Sequence, residues 1–234
     1  MRWFLALWLV LSVCPPVQAG EPVDVALVLV SDVSRSIDPS EYDLQKQGYF
    51  AAFTDKRVVA AIRGGAIGAI AVSYVEFAGE GDVATMVTWT VLRDAATAAA
   101  FAQRVRAAGR SSSGRTSISS GLRQGMAELA GWGGGEGVRR VIDICGDGTN
   151  NSGEEVSAAR DAAVAAGITI NGLAIINDRP VSWNFAHVQP PGGLDNYYRA
   201  EVTGGPGSFV LVVHDFASFS EAITRKLLQE IASR

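Results

Sequence analysis

The chain has 234 residues, 48% hydrophobic and 19% charged, with a formal net charge of −4. That length suits one medium-sized domain behind a short processed segment, and the apolar fraction excludes a disordered chain. No basic stripe and no block of like charge is present, which excludes a nucleic-acid binder.

Taken in chain order, residues 1–19 form a unit of their own. Arg2 is a positive start, Trp3 to Val13 is apolar apart from Ser12, and Pro15-Pro16 break any helix. Val17-Gln18-Ala19 then offers small apolar residues for a cut before Gly20. This pattern predicts a secretory signal peptide over 1–19. The run falls short of the roughly 20 apolar residues of a spanning helix, and Val13 is a poor residue before Cys14 for a lipoprotein box. Residues 20–234 are then one exported domain, periplasmic or secreted, with no stable membrane insertion. The mature chain keeps a single cysteine, Cys145. It sits in an apolar run and reads as a buried structural thiol, with no intramolecular disulfide to form.

After the leader, strand-length apolar runs alternate with segments of helical period. Val23 to Ser31 predicts a central strand buried on both faces. Asp38-Pro39-Ser40-Glu41 is a helix start, with Asp38 as cap and Glu41 completing a capping box. A second short helix is expected over Lys56 to Ile62. Strands are expected over Ala66 to Phe77 and Val83 to Leu92, joined as a hairpin by Gly79-Glu80-Gly81-Asp82, which puts an antiparallel strand at the sheet edge. Asp94 caps a helix to Ala108, and a Ser/Gly-rich loop leads past Thr116 to a helix over Ile118 to Ala130. Trp132 and the glycines after it read as a flexible connection. The pattern continues with a strand over Val138 to Cys145, a helix over Glu154 to Ala166 and a strand over Ile168 to Ile176. An irregular stretch, 177–193, follows. A helix around Asp195 to Val202, a strand over Ser208 to Val213 and a final helix over Phe216 to Ile231 complete the chain. This alternation predicts a doubly wound α/β fold: a mostly parallel open sheet with helices on both faces.

The chemistry lies in Asp32-Val33-Ser34-Arg35-Ser36, directly after the first strand. Alternate residues of an extended segment point the same way, so one carboxylate and two hydroxyls converge. Hard cations take such oxygen ligands, and ligands of open α/β sheets collect at the carboxyl ends of the strands. Thr116, in a loop before a helix, and Asp147, just after a strand, can reach the same edge.

These three segments, in this order, resemble the metal-ion-dependent adhesion site of von Willebrand factor A domains, and the resemblance runs from about Val23 to the C-terminus. Gly146-Asp147-Gly148-Thr149-Asn150-Asn151, with Leu194-Asp-Asn-Tyr-Tyr-Arg and Gly204-Gly-Pro-Gly, is similar to a bacterial exported subfamily, DUF1194. The resemblance implies a divalent ion, Mg²⁺ or else Mn²⁺ or Ca²⁺, bound directly by Ser34 and Ser36, and by Thr116 in at least one state. It implies that Asp32 and Asp147 act mainly through coordinated water. It also implies a protein partner that offers a Glu or Asp carboxylate, met by a monomeric chain.

The rival reading is a metal-dependent hydrolase or phosphatase of the cell envelope, for which only Glu76 and Asp178 can be nominated as general base. His214-Asp215 lacks a G-x-S-x-G elbow and reads as a cap or surface pair. Asp143, within an apolar strand, reads as a core aspartate that requires a partner. Asn177, Asp178, Arg179 and Trp183 are candidates for a rim around the ion.

Overall fold

The computed structural model describes residues 20–133, 137–176 and 190–232. Six strands form one sheet: β1 (Val25–Asp32), β2 (Ile70–Phe77), β3 (Val83–Leu92), β4 (Arg139–Gly146), β5 (Thr169–Ile175) and β6 (Val210–Val213). Their spatial order is β3-β2-β1-β4-β5-β6, with β3 antiparallel at the edge and every other pairing parallel. The chain winds outward in both directions from β1 and β4, so the order reverses between those two strands. That reversal opens a crevice at their carboxyl ends.

The sheet separates two apolar layers. On one face, Leu27, Leu29, Val72 and Tyr74 pack against Tyr49 and Phe53 of α1 (Pro39–Thr54), Phe101 of α3 (Ala95–Ala107) and Phe219 and Leu227 of α7 (Phe219–Ala232). The short α2 (Lys56–Arg63) adds Val58 and Ile62 to this side. On the other, Ala26, Val28, Val30, Ile142 and Ile144 meet α4 (Ile118–Trp132) and α5 (Val156–Ala165). Leu194 of α6 (Leu194–Tyr197) and Tyr198 of the π-helical turn Tyr198–Val202 complete that layer. The central strand β1 is buried along its whole length, which is why its sequence is a continuous apolar run rather than an alternation.

Local chemistry accounts for the element starts. Asp38 accepts from the Glu41 N–H while Glu41 accepts from the Asp38 N–H, closing the capping box of α1. Asp94 caps α3 in the same reciprocal way with Thr97. Gly121 and Gly125 lie one turn apart on α4, where an added β-carbon would stand 2.9 Å from Val30 and from Ile142 respectively. Their missing side chains let α4 lie close on the sheet, and that contact fixes where the Thr116 loop meets the sheet edge.

Two expectations need correction. The second strand starts at Ile70 rather than Ala66, because the Asp24 carboxylate collects the N–H groups of Ile67, Gly68 and Ala69 and Gly68 turns through φ 76°. Trp132 is no flexible connection. It ends α4 with its ring centroid 5.0 Å from that of Trp89, and Gly133 stops the helix in the left-handed conformation.

Candidate metal centre

β1 delivers Asp32 to the sheet edge, and the segment that follows is tied on several sides. The Val33 N–H donates to the Phe77 carbonyl at 2.8 Å, and the Arg35 N–H to the Gly114 carbonyl at 3.0 Å. Arg110 binds the inside of the loop: one guanidinium nitrogen donates to the carbonyls of Val33, Ser34 and Ile37 at 2.7, 2.7 and 2.9 Å. Sequence reasoning missed this residue, since a single arginine in a Ser/Gly-rich loop carries no signal of its own. Nε of the same guanidinium donates to the Ser112 carbonyl at 3.1 Å, and a lysine, with one nitrogen, cannot reproduce donors fixed on two nitrogens of one plane. Arg110→Lys is therefore expected to weaken Mg²⁺ binding about tenfold, in the range for residues that orient ligands. Titration calorimetry checks this, with circular dichroism expected to stay unchanged.

All five sequence-predicted residues come together. The Ser34 N–H donates to Asp32 Oδ1 at 2.7 Å. Ser34 and Ser36 share a hydrogen bond between their hydroxyls at 3.0 Å, Ser36 donates to Asp147 Oδ1 at 2.7 Å, and Thr116 donates to Ser34 Oγ at 3.1 Å. Asp32, Ser34, Thr116 and Asp147 are buried, Ser36 is half-buried, and Arg35 points outward as the alternation predicts. The result is a connected set of oxygens from three loops at the crevice between β1 and β4.

The electrostatics of this set are unfavourable without a cation. Burial first, and the neighbouring Asp147 charge second, push the Asp32 carboxyl up to about 8. Asp32 Oδ2 is buried with no protein hydrogen-bond partner, a costly state for a carboxylate oxygen. The donors are two carboxylates and three hydroxyls, all oxygen, which suits a hard divalent ion. Among the described residues no group of three or more His, Cys, Asp or Glu is placed to hold a metal. Any ion held here must therefore use the hydroxyls.

The loop after β4 supports the set through residues that the sequence singled out only as a motif. Asn151 Oδ1 accepts from the Thr116 N–H at 3.0 Å, and the Asn151 N–H donates to the Thr116 carbonyl at 2.9 Å. Asn150 Oδ1 accepts from the Ser119 N–H at the start of α4, and the Asn150 N–H donates to the Tyr197 hydroxyl at 3.1 Å. Two adjacent asparagines thus clamp the Thr116 loop onto the Asp147 loop. Burial, and then the carboxylate of Asp32, hold the Tyr198 phenol well above its ordinary range.

Other candidates fall outside this centre. Glu76 is fully engaged: Oε1 accepts from Tyr42, Lys46 and Tyr74 at 2.9 to 3.0 Å, and Oε2 from the Ser111 N–H at 2.8 Å. Asp143 gains the partner its burial requires, Lys226 at 2.6 Å. Cys145 is buried beside Ser31 and Tyr49, with its thiol pushed up to about 11 by burial. His214 is exposed, and the cap beside it is Asp215, which accepts from the Ser218 N–H. Asn177, Asp178, Arg179 and Trp183 lie outside the described residues.

The comparisons with known proteins agree with this architecture. The profile of the family described as "Protein of unknown function (DUF1194)" matches residues 22–234. No curated protein matches the chain. Among solved structures, it superposes on a proximal thread matrix protein from the mussel byssus with a zinc-occupied MIDAS motif, at TM-score 0.61 and 18% identity, covering 89% of this chain and 48% of that one. It superposes on a von Willebrand factor type A protein from Catenulispora acidiphila at TM-score 0.62 and 14% identity, covering 91% and 44%. The open form of the pilus adhesin SpaC from Lactobacillus rhamnosus GG gives TM-score 0.63 and 16% identity, covering 91% and 30%. The chain thus spans less than half the length of these structures, and at such identities the likeness is one of fold. Motif, sheet order and profile converge: the chain belongs to the DUF1194 family and has a von Willebrand factor A fold.

Proposed function

We propose that the chain is an exported, metal-dependent protein-binding module. In this reading a divalent cation held by Asp32, Ser34, Ser36, Thr116 and Asp147 captures an acidic side chain of a partner protein. The observation that carries it is the composition of the centre: three of its five side chains are neutral hydroxyls, and they meet at the crevice of the sheet. When bound, the ion supplies positive charge that such a set leaves under-neutralised, and a partner carboxylate completes its coordination. Ser34 and Ser36 hold the ion directly. Asp32 and Asp147 lie behind them, and Thr116 closes the third side. Mg²⁺, Mn²⁺ or Ca²⁺ suits all-oxygen donors better than a soft metal. The zinc-occupied motif of the byssus protein and the adhesin among the neighbours support this reading.

Residues 1–19 act as the signal peptide, leaving 20–234 as a monomeric domain in the periplasm or beyond. No helix among the described residues is long and apolar enough to cross a membrane. The rival hydrolase or phosphatase loses support at one of its two nominated bases. Glu76 is committed to four donors, and a base must be within reach of the proton it removes.

The test is retention of partners from envelope extracts on immobilised residues 20–234. Mg²⁺-dependent retention, lost with chelator and with Ser34→Ala and competed by a free acidic peptide, is the expected result. Retention indifferent to chelator would overturn the reading. So would metal-dependent phosphoester turnover lost on Asp32→Ala.

A further inference from the structure

A pair of buried polar atoms lies beside Gly146 at the edge of the centre. Asp32 Oδ2 and the Tyr198 hydroxyl are each buried without a protein hydrogen-bond partner, and they meet at one place. A β-carbon built on Gly146 would stand 2.8 Å from the Tyr198 hydroxyl and 2.9 Å from Asp32 Oδ2. The two atoms are therefore close enough for a single water to bridge, at about 2.8 Å per hydrogen bond.

The backbone around Tyr198 is shaped to put the ring there. Tyr198 opens a π-helical turn, Tyr198–Val202, in which the Thr203 N–H reaches back to the Tyr198 carbonyl at 2.9 Å. Such turns are rare and gather at functional sites. Two strand positions give up their side chains to make room. At Gly172 of β5 a β-carbon would stand 2.9 Å from Tyr198 Cδ1, and at Gly146 of β4 it would fill the space between phenol and carboxylate. The neighbouring Tyr197 already serves the same loop through the Asn150 N–H. The adjacent tyrosines thus address two parts of one centre, Tyr197 the loop and Tyr198 the carboxylate.

We propose that Tyr198 is a positioning residue of the metal centre: its phenol donates across one water to Asp32 Oδ2 and holds the carboxylate in the orientation that serves the ion. This rests on the metal-binding reading above. Asp32 Oδ1 is already oriented by the Ser34 N–H, so the phenol would fix the second oxygen and with it the plane of the carboxylate. Partners of this kind typically change metal affinity by 10- to 100-fold when removed.

The experiment is Mg²⁺ and Mn²⁺ titration calorimetry of residues 20–234 as wild type, Tyr198→Phe and Ser34→Ala, with thermal midpoints in chelator. Phenylalanine keeps the ring that packs on Gly172 and removes only the hydroxyl. The expected result is a loss of about tenfold in affinity for Tyr198→Phe, with a midpoint in chelator no lower than wild type. A tyrosine near-ultraviolet difference signal on adding Mg²⁺ should be present in wild type and absent from the variant. Unchanged affinity, with or without a lower midpoint, would overturn the positioning role. Ser34→Ala separates the two readings. If it abolishes binding while Tyr198→Phe leaves it intact, only the positioning role fails; if wild type binds no divalent ion, the metal centre itself fails.

Discussion

Asp32→Asn is expected to lower Mg²⁺ affinity at least about 100-fold and, at pH 8 in chelator, to raise the thermal midpoint. The two effects share one cause. Asp32 is completely buried, one of its oxygens lacks a protein partner, and Asp147 adds a like charge nearby. An aspartate in the unfolded chain titrates near 4, whereas in the folded chelated protein Asp32 is held up to about 8. Between these values the folded state binds the extra proton. Its stabilising effect is thus fully present below about pH 4 and is lost as pH rises through 8. Asparagine keeps the oxygen that accepts from the Ser34 N–H and never acquires the charge, so it escapes that loss. A divalent ion must also displace the proton, so binding should tighten from pH 6 to 8 in wild type. Thermal melts with chelator and with Mg²⁺ across this range check both halves. A variant melting lower than wild type at pH 8 in chelator would show that the carboxylate is not strained there.

The second large effect is expected far from the centre. Lys226 of α7 is fully buried between Asp143 of β4 and Glu230 of its own helix, 2.6 Å from each. Asn171 of β5 donates to Glu230 at 3.0 Å, and Arg139 donates to the Glu230 carbonyl at 2.8 Å. Two carboxylates thus share one ammonium. Burial first, then the Asp143 charge, raises Glu230 to about 7, and burial raises Asp143. Lys226→Met leaves both acids without their cation. Removing one partner of a buried charge cluster costs about 3–5 kcal/mol, and urea unfolding at pH 8 should show a loss of that size. The sign follows from the same linkage. With their folded values raised above the unfolded ones, the two acids favour the fold while protonated and oppose it as pH rises. The loss should therefore shrink at pH 5. Combining Asp143→Asn, Lys226→Met and Glu230→Gln should recover most of the stability at pH 8. Equal losses at both pH values would mean that the lysine acts by packing alone.

The sequence was most informative where a local pattern has one physical cause. β1 reads as an unbroken apolar run because both its faces are covered, and α1 announces itself through Asp38, Pro39 and Glu41. The hairpin of β2 and β3 is legible from Gly79 to Asp82, and the edge placement of β3 follows from it. The five candidate ligands were legible because Asp32, Ser34 and Ser36 alternate at a strand end while Thr116 and Asp147 complete a known pattern. Contacts between distant segments left no such trace. Arg110 acts on carbonyls, which every residue has, so nothing in the loop sequence specifies its target. Lys226 and Glu230 sit on the buried face of α7, and only the sheet shows that Asp143 lies across from them. The glycines after Trp132 read as a linker, whereas its ring packs against Trp89.

In the proposed centre Asp32, Ser34, Ser36, Thr116 and Asp147 hold one divalent ion at the crevice between β1 and β4. Anomalous diffraction from crystals of residues 20–234 grown with Mn²⁺ tests it most directly. The expected result is a single strong anomalous peak within bonding distance, about 2.1 Å, of the Ser34 and Ser36 hydroxyl oxygens. A peak at any other place, or none there at millimolar Mn²⁺, would contradict it.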